Sequence, residues 1–492
     1  MTSFDLLTRP WIPLLTPGGP ARLSLREALK RAHEIRLACP PDEHTVLLRL
    51  LLSVFAAAAR PADEAQWDSA WAAPDLDASR IGPYLDRNAG HFDLYDSTRP
   101  FWQCAQLTAG NREPYVLEPE TWGSGAAQFA SELLAPGRGM PPATAAVRLA
   151  MLQSWHPGGI QSGHPSDPAT RGGRVYGGKP APLSTISHLR ITGSCLKDEI
   201  LLNCPPGLRA AGDHPVWERD SPSAPMSARE PAGLLDLWTW PTRRVRLLPD
   251  ENGTVTAVAV HDGDRSPDPA RAAVGFDPGA ALNGRGTPLA VMDAARQLLP
   301  WVAAALLDGD PGAGSCAVLA HVVAAAERGT LAPSMPIEAV VLRAEHTTSH
   351  RAALSGIVHL AAPIGPARTL ADPTSRTALA QAALHPRKLQ QAVTRAAATV
   401  LSLQLREAPS RPGLSVAGHL AGAWAEFTTD PHEELPAWHG ALRTAAKRAA
   451  GSASAGPLMA SARIAAAAAA ALPPDTVPAH VPVPVLEGEP RP

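Results

Sequence analysis

Lysine is scarce in this chain of 492 residues: five lysines stand beside 39 arginines. With 52 prolines, 39 glycines and heavy use of alanine, the bias matches a GC-rich coding sequence and by itself indicates no function. Neither sign of charge dominates. The 44 basic and 46 acidic residues leave a formal net charge of -2, so no global basic field advertises nucleic acid. The five cysteines (Cys39, Cys104, Cys195, Cys204, Cys316) form no CxxC pair, which excludes a zinc ribbon and a disulfide framework. Their odd number and the missing signal-peptide pattern point to a reducing cytoplasm. Long hydrophobic runs are missing as well. The most apolar one, Val46 to Ala59, has roughly two-thirds of the length needed to span a bilayer and contains Arg49, so a buried helix and no membrane partner are expected. There is no Walker loop, no GxSxG elbow and no GxGxxG after a strand. The GRGMPP at Gly137 and the GRGTP at Gly284 lack the Lys-Ser/Thr that phosphate binding needs. No cofactor and no enzymatic chemistry are expected.

What is present is organised in two styles. FDLLTRPWIPLL (Phe4 to Leu15) reads as a strand interrupted by prolines, and LSLREALKRAHEI (Leu23 to Ile35) reads as an amphipathic helix. A helix apolar on nearly every side starts after Pro40. A Gly/Pro-rich stretch from Trp122 to Pro182 holds one clear helix, Ala143 to Trp155, and Arg243 to Val260 reads as a β-hairpin turning at Asp250 to Gly253. Helical patterns return at Val291 to Leu307 and Cys316 to Arg328. After Leu370 the pattern is helical only. A lead-in, Arg376 to Leu384, stops before His385-Pro386, and Arg387 to Glu407, Ser415 to Phe427, Ala437 to Ala449 and Leu458 to Ala471 follow. The expected class is α+β: a mixed α/β body with hairpins and long loops (1–369), a C-terminal antiparallel four-helix bundle (370–472) and a flexible Pro-rich tail (473–492).

Candidate chemistry is thin. His346 and His350, four apart in EHTTSHR, suggest a metal-dependent hydrolase, but no glutamate sits between them and the Thr/Ser content suits a turn. His156 and His164 flank a glycine pair and give a weaker version of the same idea. The charge is uneven: Arg376 to Arg463 holds ten Lys/Arg against five Asp/Glu, a local basic excess that suits DNA. A generic helical scaffold is the third reading.

Several segments in order resemble the CasA family, the large subunit of the type I-E CRISPR Cascade surveillance complex. They are the N-terminal strand, helix and buried helix, RPFWQCAQL (Arg99 to Leu107), WHPGGIQSG (Trp155 to Gly163) and LLDLWTWPTRRVRLL (Leu234 to Leu248). The resemblance implies a non-catalytic subunit that inspects double-stranded target DNA for a protospacer-adjacent motif from the minor groove, starts strand separation and recruits a helicase–nuclease effector. Its other implied partners are the CRISPR guide RNA and the backbone, small and 5′-handle-binding Cascade subunits. Carried over by residue, it makes Gly158, Gly159 and Ile160 a glycine loop whose backbone approaches the groove. A tight turn after the preceding helix is the plain alternative. It places Thr348, Ser349, His350 and Arg351 at a wedge after the strand Ile337 to His346, where relatives commonly carry glutamine. Phe129 and Arg138 fall in the loop that docks on guide RNA. Independently of the resemblance, the basic excess of the C-terminal helices, in Arg387, Lys388, Arg395, Arg443, Lys447 and Arg448, offers a face that can hold DNA phosphates, a merely solvated face being the plain alternative. Relatives also reach the groove with a lysine, yet Thr254 to Gly286 has none, which leaves Arg265, Arg271 or Arg285 as substitutes.

Overall fold

The structure, a computed structural model, describes residues 2–110, 112–122, 137–289, 304–307, 314–346, 354–402, 420–453 and 466–471. The chain divides into two compact units, residues 1–290 with 306–372, and residues 291–305 with 373–492.

In the first unit, β1 (Ile12–Thr16) pairs antiparallel with β2 (Gly19–Leu23) and with β3 (Arg36–Leu37). The strand is shorter than the expected Phe4 to Leu15. Asp5 accepts from the Leu7 N–H at 2.9 Å and the Thr8 hydroxyl at 2.7 Å, folding that stretch into a turn, and Pro10 has no N–H for a ladder. Helix α1 (Leu25–Lys30) also ends early, before the expected Ile35. The carbonyls of Ala32 and Ile35 instead accept the first N–H groups of α6 (Leu196–Leu202), Lys197 at 2.9 Å and Leu196 at 2.7 Å.

The buried helix α2 (Pro41–Ala59) is the centre of this unit, inside on every side from Thr45 to Ala56. Against it pack α4 (Ala78–Arg87), α5 (Pro142–Trp155), α6 and α7 (Leu234–Trp238), while α3 (Glu64–Ala72) packs on α6. Its one internal cation, Arg49, is 3% exposed and pairs with Asp277, just past α8 (Pro269–Phe276). Arg49 and His188 hold the Asp277 carboxyl below the usual range despite its burial. Unpaired, a charge at that depth would cost several kcal/mol.

Two strand systems frame the candidate site. One is a ribbon of β4 (Gly159–Ser162) and β5 (Arg174–Gly178), in a stretch where the sequence predicts only loop. The other is the expected hairpin, β8 (Arg243–Pro249) and β9 (Val255–Asp262), with the short parallel pair β7 (Ser227–Ala228) and β10 (Asp264–Arg265) beside it. A four-stranded sheet in the order β11-β6-β12-β13 completes the unit, built from β6 (Ser187–Ile191), β11 (Ala280–Ala281), β12 (Pro336–His346) and β13 (Leu354–Pro366). Helices α9 (Ala317–Glu327) and α10 (Ala367–Ala371) pack on each other nearby.

In the second unit, α11 (Pro373–Ser402) packs on the helix Leu435–Ala453, and residues 420–427 and 466–470 are helical. Trp424, Phe427 and Trp438 form its aromatic core, with ring centroids 5.4 to 5.9 Å apart. The expected stop before His385-Pro386 does not occur. Helix α11 runs straight through it, because buried Leu379, Ala382 and Leu389 keep one helical stripe in register across the proline. A single missing N–H donor is outweighed by that continuous packing. The expected helix Val291 to Leu307 falls almost wholly outside the described residues.

Candidate nucleic-acid interface

The glycine segment is built from its two ends. Helix α5 closes with the His156 N–H on the Leu152 carbonyl, and the Ala181 N–H, just past β5, donates to the His156 carbonyl at 2.9 Å. The chain therefore leaves and re-enters the body at one point, with the ribbon between. Gly158 is buried there. A Cβ on it would lie 2.6 Å from the Gly178 carbonyl oxygen and 3.0 Å from Pro180, so its missing side chain serves internal packing. Gly159 has φ = 107°, a conformation that other residues rarely adopt. Ile160 follows it and is 57% exposed.

Beneath this segment sits Arg243, the first residue of β8 and 1% exposed. Its guanidinium donates to the Pro157 carbonyl at 2.6 Å and the Lys179 carbonyl at 3.3 Å, joining both ends of the ribbon. Its Nε–H reaches His156 Nδ1 at 3.2 Å, and Asp262 lies 3.5 Å away as counter-ion. The Arg243 Nε–H can only donate, so His156 Nδ1, which also lies 2.8 Å from the Pro157 carbonyl oxygen, is its acceptor and the imidazole proton sits on Nε2. Burial and the adjacent guanidinium hold His156 well below the usual histidine range, so it is a neutral strut. Burial lowers Arg243 to about 10, which leaves it charged at neutral pH. Arg265 extends the clamp, donating to Asp262 at 2.6 Å and to the Tyr176 carbonyl at 3.0 Å. Gln153 of α5 fixes β8 itself: its side-chain oxygen accepts the Arg243 N–H and its amide donates to the Arg243 carbonyl, both at 2.9 Å.

Sequence reading missed this clamp. RRVRLL reads only as the first strand of a hairpin, and the fold turns Arg243 and Arg244 inward. In RPFWQ, Gln103 is likewise a cross-link, donating to the Leu94 carbonyl and accepting the Leu247 N–H, both at 2.8 Å.

The remaining predicted residues are spread more widely. Arg138 is exposed just after residues 123–136, and Phe129 is outside the described residues. Thr348, Ser349, His350 and Arg351 are also outside them, in the stretch joining the paired residues His346 and Leu354. Of the three candidate arginines, Arg265 is committed to the clamp, whereas Arg271 on α8 and Arg285 in the turn Asn283–Thr287 are exposed. In the second unit, Lys447 and Arg448 are exposed and Arg443 is half-buried on the helix Leu435–Ala453. Arg387, Lys388 and Arg395 lie on α11, with their side chains outside the described residues. Among the described residues no group of three His, Cys, Asp or Glu could hold a metal ion, and His346 ends β12. No single described helix is long and apolar enough to cross a membrane.

Comparison with known proteins places this geometry in context. The family model described as CRISPR-associated protein Cse1 matches residues 5–449. A CRISPR-associated protein CasA/Cse1 of Thermus thermophilus is 32% identical over 274 residues, 51% of this chain, and the match spans half the length of that relative. The crystal structure of Thermobifida fusca Cse1 superposes with a TM-score of 0.76 at 23% identity, covering 95% of this chain and 96% of that one. A chain of a CRISPR RNA-guided surveillance complex gives 0.67 at 18% identity, covering 96% and 99%. At these identities the structural likeness establishes the mixed α+β fold, and the family model extends from the first strand into the helix Leu435–Ala453. The chain belongs to the CRISPR-associated Cse1 family, also named CasA.

Proposed function

We propose that this chain is the non-catalytic large subunit of an RNA-guided DNA surveillance complex of type I-E, working in the cytoplasm. It reads a short motif beside the target from the minor groove, promotes duplex opening and recruits a helicase–nuclease. Sequence specificity resides in the guide RNA's base pairing, which leaves the protein a short signal to read. The observation that carries this reading is the clamped glycine segment. Gly158 lets the chain pack closely, and Gly159 and Ile160 then stand at the exposed start of a ribbon whose base is pinned by a buried arginine. Rigid support of that kind suits a backbone edge that must meet a groove without rearranging.

In the same proposal, Thr348, Ser349, His350 and Arg351 enter the opened duplex at the end of the β12–β13 hairpin. Phe129 and Arg138 meet the guide RNA, and the body 1–369 docks on the other Cascade subunits. The region 370–472 forms the four-helix bundle, with Arg387, Lys388, Arg395, Arg443, Lys447 and Arg448 toward DNA phosphates.

The test is target binding by the guide-RNA complex assembled with and without this chain, on duplexes carrying a randomised adjacent motif at one fixed salt concentration. Enrichment of a motif subset only when the chain is present is the expected result. Equal binding of all motifs, or a chain that does not join the complex, would overturn the reading.

A further inference from the structure

The ribbon that starts at the glycine segment has a surface that the glycines do not account for. Residues 158–179 contain three basic side chains, Arg171, Arg174 and Lys179, and one acid, Asp167. Asp167 is buried and used up inside, accepting the N–H groups of Ala169 at 2.8 Å and Met226 at 3.0 Å. The outer face is therefore cationic. Arg171 and Arg174 are exposed at the turn end of the ribbon. Arg112, which bridges to Val258 on β9, adds a third guanidinium by donating to the Ser162 hydroxyl at 3.0 Å. None of these three arginines has an ion-pair partner among the described residues, and Glu113 is the one acid next to them in sequence.

The middle of the ribbon is apolar on its outside. Between the pairs Gly159↔Gly178 and Gln161↔Val175, β4 has one residue, Ile160, and β5 has two, Tyr176 and Gly177. This bulge, with Gly177 at φ = 69°, sets Ile160 opposite Tyr176, and both are more than half exposed, at 57% and 56%. Arg171 donates to the Pro168 and Thr170 carbonyls at 2.7 and 2.9 Å, which holds its guanidinium at the turn without neutralising it. A solvent-facing Ile–Tyr pair flanked by guanidiniums that lack a carboxylate partner among the described residues matches the alternation of sugar and phosphate along a nucleic-acid strand. Two-stranded ribbons also fit duplex grooves.

We infer that the β4–β5 ribbon is a DNA contact in its own right: Arg112, Arg171 and Arg174 neutralise backbone phosphates, and Ile160 with Tyr176 packs against the sugars between them. The inference rests on the surveillance reading for its partner, duplex DNA, and adds to it a grip that is independent of sequence. Phosphate contacts set position and affinity, so loss of the ribbon weakens every duplex alike and leaves motif choice intact.

The experiment is fluorescence anisotropy of a labelled target duplex, with the reconstituted complex and with the full chain alone, titrated in salt from about 50 to 200 mM. Each neutralised phosphate contributes roughly 0.9 to the slope of log K against log salt, so R112A/R171A/R174A is expected to flatten the slope by about 2.7. The loss should be equal on duplexes with intact and scrambled motifs. Tyr176→Ala is expected to weaken binding several-fold, and Tyr176→Phe to leave it unchanged. An unchanged slope in the triple variant, or a loss confined to intact-motif duplexes, overturns the inference. If the wild-type complex shows no motif preference, the motif reading fails, while the slope difference still decides the ribbon.

Discussion

At the start of β8 Arg243 and Arg244 are 1% and 2% exposed and bonded to carbonyls and carboxylates, whereas on the ribbon Arg171 and Arg174 are exposed without an ion-pair partner among the described residues, Arg171 donating only to the Pro168 and Thr170 carbonyls of its own turn. The two pairs share a side chain and a local sequence style, and the fold gives them opposite work. A buried guanidinium earns its place through several donors in a fixed fork, which lets it pin backbone that has no side chain to hold. An exposed one without a counter-ion contributes little to stability and stays available to an anion. In a chain where arginine outnumbers lysine so heavily, the count of basic residues therefore indicates little, and burial separates structure from recognition.

The sharpest break in this comparison is expected from Arg243→Met. It leaves the Pro157 and Lys179 carbonyls without their donor and Asp262 with only Arg265 as partner. Removing one member of a buried pair typically costs about 3–5 kcal/mol, and the remaining Arg265 contact sets the expectation at about 3. Chemical denaturation monitored by tryptophan fluorescence reads this. A loss below about 1 kcal/mol would mean that the clamp is not structural.

Gly158→Ala comes next. Its Cβ would meet the Gly178 carbonyl oxygen at 2.6 Å, closer than real contacts allow, so β5 must shift away from β4. Overpacking of this kind costs about 1–3 kcal/mol. The same denaturation curve checks it, and full stability in the alanine variant would return Gly158 to an open loop.

Much of the fold was legible because the periodic elements carry their own signal. Helices α2 and α5 and the β8–β9 hairpin match their expected spans within a few residues, since apolar spacing and turn chemistry are local. The site was legible at Gly158 to Ile160 only through resemblance. The ribbon went unseen because β4 is only four residues long, β5 ends in two glycines, and the two pair across a bulge. The Arg243 clamp left no trace in the sequence, since its partners at Pro157, Lys179 and Asp262 are 19 to 86 residues distant. Pro386 misled for the opposite reason: its local preference is strong, and the packing that overrides it comes from Leu379 and Leu389 in the folded unit.

A smaller effect separates the clamp's histidine from its arginine. His156 is held neutral in the folded chain, while in the unfolded chain it takes a proton as pH falls through about 6.5. With the folded value depressed, its contribution is complete above that pH and declines below it. Replacing His156 by asparagine keeps a side-chain acceptor and removes the titration. The slope of stability against pH between about 6 and 5 is expected to fall by roughly one proton, about 1.4 kcal/mol per pH unit. Identical slopes in the two proteins would show that His156 is not coupled to folding.

The smallest effect belongs to the ribbon itself. Arg171→Ala and Arg174→Ala remove exposed guanidiniums that no carboxylate among the described residues holds, and Arg171's bonds to the Pro168 and Thr170 carbonyls are solvent-exposed, so stability should stay within about 0.5 kcal/mol of the parent. Losing two neighbouring like charges leaves, if anything, a slight gain. The double variant's denaturation midpoint compared with that of Arg243→Met therefore tests the contrast between floor and ribbon without any DNA. A midpoint lowered as far as in the Arg243 variant would make the ribbon arginines structural after all. An unmoved midpoint together with a flattened salt dependence of DNA binding would leave recognition as what their exposure serves.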